Sequence, residues 1–461
     1  MRSVILDNRA FLLIGGIVLN IRLSDHFSYK WLLRFVFPSI VMMIFTSIYG
    51  VVDGLFVSNF VGKTPFAAVN LIYPVLMAVG SLGFMIGTGG SALVAKIMGE
   101  GDQDRANRIF SMLIWTTVVI GVVFSAAGLI WLRPIVALLG AEGEMAEYCV
   151  RYGRILLLSE TAFMLQNVFQ SFFVTAEKPH LGLAVTVAAG VTNMVLDFVF
   201  IAVFDWGVEG AAAATAISQL VGGVLPLFYF LGKSGRLLYL TGFRMDWGAL
   251  VKTCTNGSSE LMSNLSMSLV NILYNFQLMR MAGENGVAAY GVIMYVNFIF
   301  VAIFLGYSIG SAPIIGYHYG AENTDELKSL LRKSLVLVGG AAVVLTILAE
   351  VLAAPMSMLF VGYDRSLMEL TCRGFRLFSL SFLLTGFNIF GSAFFTALNN
   401  GVVSACISFL RTLLFQVAAV LLLPIVLGVD GIWLAIVAAE LLAFGVTVLF
   451  LWKMRGRYRY L

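Results

Sequence analysis

Five carboxylates stand inside long apolar stretches of this sequence: Asp53, Glu160, Asp197, Glu260 and Glu440. A charged side chain at the centre of a bilayer costs on the order of 2.5 to 3.5 kcal/mol on insertion scales, so one retained there faces an interior cavity and has work to do. Asp53 lies in "FPSIVMMIFTSIYGVVDGLFVSNFVG", residues 37–62, with no neighbouring cation to neutralise it. Asp197 follows Asn193 by four residues, which on a helix turns an amide and a carboxylate to one face. Such a pair holds a proton on the carboxyl or supplies oxygens to a bare Na+. Glu260 opens a stretch that also carries Asn264, Asn271 and Asn275. Glu260, Asn264 and Asn271 share a helix face, a polar stripe expected to line a cleft and either attract a cationic solute or bind a coupling ion. Gln166, Asn167 and Gln170 are further candidates for substrate contact, and Arg411 is the one basic residue deep in an apolar stretch.

The elements that must hold these groups follow from composition. Of 461 residues 60% are hydrophobic and 12% charged, with a mean hydropathy of +0.94, and a soluble fold has too little interior to hide so much apolar surface. The stretches are long enough to cross about 30 Å of hydrocarbon and lack the alternation of barrel strands, so an all-α polytopic membrane protein is expected. Twelve spans are predicted at 33–58, 68–95, 109–131, 150–174, 181–204, 208–231, 257–280, 287–316, 333–353, 372–396, 402–427 and 430–452. Pro38 cannot donate to the helix ladder, so the first span is expected to bend or loosen about four turns before Asp53.

Other chemistries find little support. Cys149, Cys254, Cys372 and Cys406 are scattered singly, with no CxxC pair and no metal site expected. His26, His180 and His318 fall near span ends, where solvated positions are expected. No Walker loop or HExxH motif occurs, which argues against an ATPase subunit or a zinc-dependent intramembrane enzyme and for a transporter without a cofactor. Residues 10–21, "AFLLIGGIVLNI", are short for a span; a surface segment or the product of an upstream start codon is expected, and 1–30 stay outside the fold argument.

With twelve spans, the termini and even-numbered connections share one side, which holds 20 of the 29 Lys and Arg residues against eight on the other. That bias puts both termini in the cytoplasm of a cell-membrane protein. The basic tail 453–461 then anchors at the inner surface, and no nucleic-acid partner is needed to explain it.

A shift of 221 lays "GKTPFAAVNLIYPV" from Gly62 over "GENGVAAYGVIMYV" from Gly283, and the same offset pairs Pro134 with Pro355 and "GVEG" at 207–210 with "GVDG" at 428–431. The chain is a duplicated unit of six spans. Six being even, the copies are parallel repeats about an axis along the membrane normal. The expected lobes are 31–231 and 257–452, joined by a cytoplasmic linker, 232–256, around a central cleft.

The "VDGLFVSNFVG" ending the first span, the "NMVLDFVFI" of the fifth and the "GVEGAAAATAISQ" opening the sixth resemble the signatures of the multidrug and toxic compound extrusion (MATE) family. The likeness covers residues 31–452 in span number, repeat and motif placement. It implies a secondary antiporter, expected to act as a monomer in the bilayer, that exports cationic or amphipathic small organic molecules in exchange for H+ or Na+. The family's cation site implies Asp53, Asn193, Asp197 and Thr215 as the coupling set, and its first-span proline implies a hinge at Pro38. The 221 offset puts Tyr274 opposite Asp53, Ala418 or Ala419 opposite Asp197 and Ser259 opposite Pro38, so coupling belongs to the first lobe unless Glu260 provides a second site. The alternative in the same superfamily, a flippase for lipid-linked oligosaccharides, calls for a cationic central cavity.

Overall fold

The computed structural model describes residues 21–233 and 235–460, and among them there are helices and no β-strand. Most of the short apolar segment 10–21 lies outside the described residues. The first half comprises α1 (Tyr29–Phe56), α2 (Lys63–Gly99), α3 (Gln103–Leu138), α4 (Gly143–Thr175), α5 (Pro179–Asp197) and α6 (Gly207–Phe230). The second comprises α7 (Trp247–Gly320), α8 (Thr324–Val361), α9 (Arg365–Ser379), α10 (Phe382–Ala397), α11 (Gly401–Phe409), α12 (Phe415–Leu427) and α13 (Val429–Tyr458). Helix α7 runs 74 residues, enough for two crossings, and breaks at Gly283, whose φ of 62° and ψ of −153° suit a residue without a Cβ. Helices α9 and α10 form one crossing bent by 46°, and α11 continues into α12 through a π-helical turn, so with α7 counted as two the described helices provide twelve passes.

The helices overrun the predicted spans. Helix α8 starts at Thr324 rather than at 333, α7 at Trp247 inside the expected linker, and α13 continues to Tyr458 through most of the expected tail. Hydropathy marks where lipid lies, whereas helix starts are set by caps: Asp102, Asp246 and Asn323 each accept a backbone N–H from the first turn of α3, α7 and α8.

The repeat is visible in how the halves touch. A Cβ on Gly99 of α2 would stand 2.0 Å from the carbonyl oxygen of Tyr317 in α7, and one on Gly320 would stand 1.9 Å from that of Lys96. A Cβ on Gly89 would meet the Gly257 nitrogen at 2.5 Å, and one on Gly310 the Val36 Cβ at 2.9 Å. Shifting both members of either contact by 221 turns it into the other, the reciprocity a two-fold relation between parallel lobes requires. Glycine lets backbone meet backbone here, and all four contacts lie in the half of the bundle that carries the termini.

A strap, residues 21–28, crosses that same end. Its Leu23 N–H donates to Glu177 Oε1 at 2.7 Å in the α4–α5 connection, and its Phe27 N–H to Glu326 Oε1 at 2.9 Å on α8. His26 pairs with Glu326, and Lys333 donates to the Phe27 carbonyl. Burial pushes the Glu177 carboxyl above the usual carboxylate range, against the opposing pull of the Leu23 hydrogen bond and the Arg22 charge. Phe27 is buried edge-on to Phe35 and His318. The expectation of a solvated His318 is thereby corrected: it sits in the last turn of α7, buried under the strap.

Candidate ion-coupling site

Asp53, Asn193, Asp197 and Thr215, drawn from α1, α5 and α6, converge in the first half. Asp53 is the fourth residue from the end of α1, and a π-helical turn at Val57–Val61 follows; Asp197 is the last residue of α5, and another π-helical turn, Phe198–Val203, follows it. The extra residue in such a turn re-aims the side chains beside it, and the two turns touch each other. The Asp53 carboxyl faces both Asp197 and Asn193. Asn193 Nδ2 donates to Thr215 Oγ1 at 3.4 Å, closing the set.

What distinguishes the cluster is what it lacks. Asp197 is 0% exposed and both its carboxyl oxygens are without a hydrogen-bond partner, as are Oδ1 of Asp53 and Oδ1 of Asn193. No ion pair among the described residues includes either aspartate. Four buried acceptor oxygens on three neighbouring side chains thus lack a hydrogen-bond partner, with the Asn193 amide the nearest donor. Such a set is able to take up a proton, and Asp, Asn and Thr oxygens suit a hard ion such as Na+. Among the described residues no cluster of three His, Cys, Asp or Glu side chains fits a metal centre.

Around this pair stand Tyr49, Tyr73 and Tyr152, close enough to feel the Asp53 charge. Tyr49 reaches Gln166, which packs against Gly222 of α6, where a Cβ would lie 2.5 Å from the Gln166 Cδ. Glu160, buried with Oε1 unpartnered, lies close enough for its charge to act on Tyr73. Spacing along the chain carries no signal for these tyrosines, which come from α1, α2 and α4.

The other candidates are more dispersed. Asn167 Nδ2 donates to its own helix at the Phe163 carbonyl, and Gln170 Nε2 to Thr186 Oγ1 at 3.3 Å, tying α4 to α5. In α7, Asn264 Nδ2 donates to the Glu260 carbonyl, and Asn271 Oδ1 accepts from Tyr290 at 2.7 Å. Tyr274, the repeat partner of Asp53, is buried and stacks on Tyr290 with ring centroids 5.0 Å apart. Pro38 is buried within α1, which stays helical from Tyr29 to Phe56.

The second half holds a different arrangement. Arg411, in the π-helical turn Leu410–Leu414, donates through Nε to both carboxyl oxygens of Glu440, at 2.9 and 3.1 Å. Asn388 Nδ2 adds a bond to Glu440 Oε2 at 2.6 Å, and Thr447 donates to Asn388 Oδ1. The Arg411 charge also reaches Glu260. Here the acid is fully partnered, which was not evident from residues 29 positions apart on different spans.

Comparison with known proteins places the whole chain rather than its site. The MatE family model matches residues 38–199 and 261–421, once in each half. The multidrug export protein MepA of Staphylococcus aureus (strain MRSA252) is 22% identical over 430 residues, 93% of this chain and 94% of that protein. MepA of Staphylococcus saprophyticus is 23% identical over 365 residues, 78% of this chain and 80% of that protein. A MATE crystal structure in complex with MaL6 superposes with a TM-score of 0.89 at 24% identity, over 95% of this chain and 98% of that one. The outward-facing conformation of a multidrug resistance MATE family transporter of the MOP superfamily gives a TM-score of 0.85 at 24% identity, over 94% and 96% of the two chains. With the family model matched in both lobes and the twelve-crossing fold shared end to end, the chain belongs to the MatE family of membrane transporters.

Proposed function

We propose that this transporter is a secondary antiporter that exports cationic or amphipathic small organic molecules in exchange for H+ or Na+ by alternating access between its lobes. The observation that carries the reading is the pair of facing, unpartnered carboxyls, Asp53 and Asp197, beside Asn193 and Thr215. Leaving two buried charges uncompensated costs several kcal/mol per ion, so the chamber binds an ion or proton in one state and changes its energy on release. The multidrug export relatives support the substrate class. Glu260, Asn264 and Asn271, with Gln166, Asn167 and Gln170, are the substrate or second-ion candidates, and Pro38 the hinge. The lobes are 31–231 and 257–452, the linker 232–256 and tail 453–461 face the cytoplasm, and the chain works as a monomer. A flippase cavity needs a cation free for a pyrophosphate, and Arg411 is committed to Glu440.

The test is dye transport in membrane vesicles under an imposed H+ or Na+ gradient. Asp53→Asn and Asp197→Asn each abolish gradient-driven export while folding and substrate binding persist, and the double variant is no worse than either single one, as expected of one shared site. If either single variant still concentrates dye at the wild-type rate, the coupling site lies elsewhere and Glu260 is the residue to examine.

A further inference from the structure

We propose that the pocket between the start of α3 and the start of α7 binds the phosphate headgroup of an anionic phospholipid through Arg105, Arg108 and Arg244. The pocket has a volume of about 400 Å³ and is lined by these three arginines with Ile109, Met245, Asp246 and Trp247. That is within the size range of small-ligand sites.

The sequence builds it by fastening the connection between lobes along α3. Gln103 Nε2 donates to the Leu237 carbonyl at 2.7 Å, Asn107 Oδ1 accepts from the Tyr239 N–H at 3.1 Å, and Ser111 Oγ accepts from the Thr241 N–H at 2.7 Å. These three α3 residues recur every four positions, so they form one polar rail on one helix face. The segment held on the rail delivers Arg244 beside Arg105 and Arg108, themselves neighbours at a spacing of three.

The three guanidinium groups have no acidic partner. None occurs in an ion pair among the described residues, although all are exposed. Two of the nearby acids are engaged as helix caps: Asp102 Oδ1 accepts from Arg105 N–H at 3.0 Å, and Asp246 Oδ1 from Ala249 N–H at 3.0 Å; the third, Asp104, forms no ion pair with Arg105 or Arg108. Converging arginines matched to no carboxylate fit a phosphate, whose oxygens take parallel N–H donors.

The apolar surroundings favour a lipid over a soluble phosphate compound. Trp247 is 70% exposed at the pocket edge, and Phe243, Val251, Trp115 and Val119 are exposed on the linker, α7 and α3. Aromatic residues of this kind sit at headgroup level, with acyl chains running beneath them along the adjoining helices. A headgroup held here touches α3 of one lobe and the start of α7 of the other.

Native mass spectrometry of the purified full chain in detergent tests the site, with phosphatidylglycerol titrated against phosphatidylcholine of the same acyl chains. The first phosphatidylglycerol is expected to bind about tenfold or more tightly than phosphatidylcholine. Arg105→Gln/Arg108→Gln/Arg244→Gln removes that preference, whereas Lys453→Gln/Arg455→Gln/Arg457→Gln in the tail keeps it. Should the triple pocket variant fail to fold, Arg108→Gln and Arg244→Gln singly each lose roughly fivefold. An unchanged preference in the pocket variants overturns the proposal. So does an equal loss in the tail variant, or displacement of the lipid by millimolar inorganic phosphate, which assigns the pocket to a soluble anion.

Discussion

Glu440 and Asp197 are both acids buried in apolar helices, yet their surroundings are opposite. Glu440 accepts from Arg411 and Asn388, while both carboxyl oxygens of Asp197 are unpartnered. The satisfied pair ties helices together; the unsatisfied carboxyl is the one proposed above to bind the ion. The Arg411 side chain is 15% exposed and that of Glu440 1%, so solvent screens the pair little. Arg411→Met strands a buried charge and is expected to destabilise the protein by about 3 to 5 kcal/mol, while Arg411→Met/Glu440→Leu recovers most of that loss. Thermal melting in detergent reads both, and a single variant that melts with the wild type would refute the structural role. Asp197→Asn, by contrast, is expected to leave melting nearly unchanged. Charge inside an apolar run makes Asp53, Asp197 and Arg411 visible in the sequence. Which of them finds a partner is not visible, because Glu440 and the surrounding tyrosines arrive from other helices.

At the level of elements, the crossings were legible because lipid demands long apolar runs, and the repeat because the 221 offset survives in its turns: Gly62 and Gly283, and Gly207 and Gly428, all have positive φ. The π-helical turns beside Asp53, Asp197 and Arg411 were not, since a one-residue insertion in a helix leaves hydropathy unchanged. Nor was the strap, whose value lies in backbone donors at Leu23 and Phe27. Pro38 belongs to this scale. It removes one ladder bond from α1 close to where Gly306 packs, a Cβ on which would stand 2.7 Å from the Ser39 carbonyl oxygen. If α1 must bend during the cycle, the missing bond lowers the cost of bending. Pro38→Ala is then expected to fold and melt no lower than the wild type, since it restores a bond, and to export dye several-fold more slowly in a vesicle assay, with about 1 kcal/mol added to the barrier. Unchanged transport would remove α1 bending from the mechanism.

For the whole molecule, the two lobes share a fold and a reciprocal contact through Gly99 and Gly320, but their chemistry differs, since Tyr274 stands where the first lobe has Asp53. The proposed single coupling site in one lobe has a consequence for energetics. A charge moving through 100 mV yields about 2.3 kcal/mol, and one pH unit about 1.4. For H+ coupling at one proton per cycle, a neutral substrate draws on both and reaches several-hundredfold accumulation. A monovalent cation exported for one entering proton moves no net charge, so only the pH term drives it, to about tenfold per unit. In vesicles holding both gradients, valinomycin with equal K+ on the two sides collapses the potential without touching the pH difference. The expected result is that accumulation of a permanently cationic dye is unaltered while that of a neutral substrate falls to about tenfold. If the dye's accumulation drops by the same factor as the neutral substrate's, more than one charge enters per molecule exported. The Asp53–Asp197 pair would then not be the sole coupling site, and Glu260, within reach of the Arg411 charge, would be the place to seek the second.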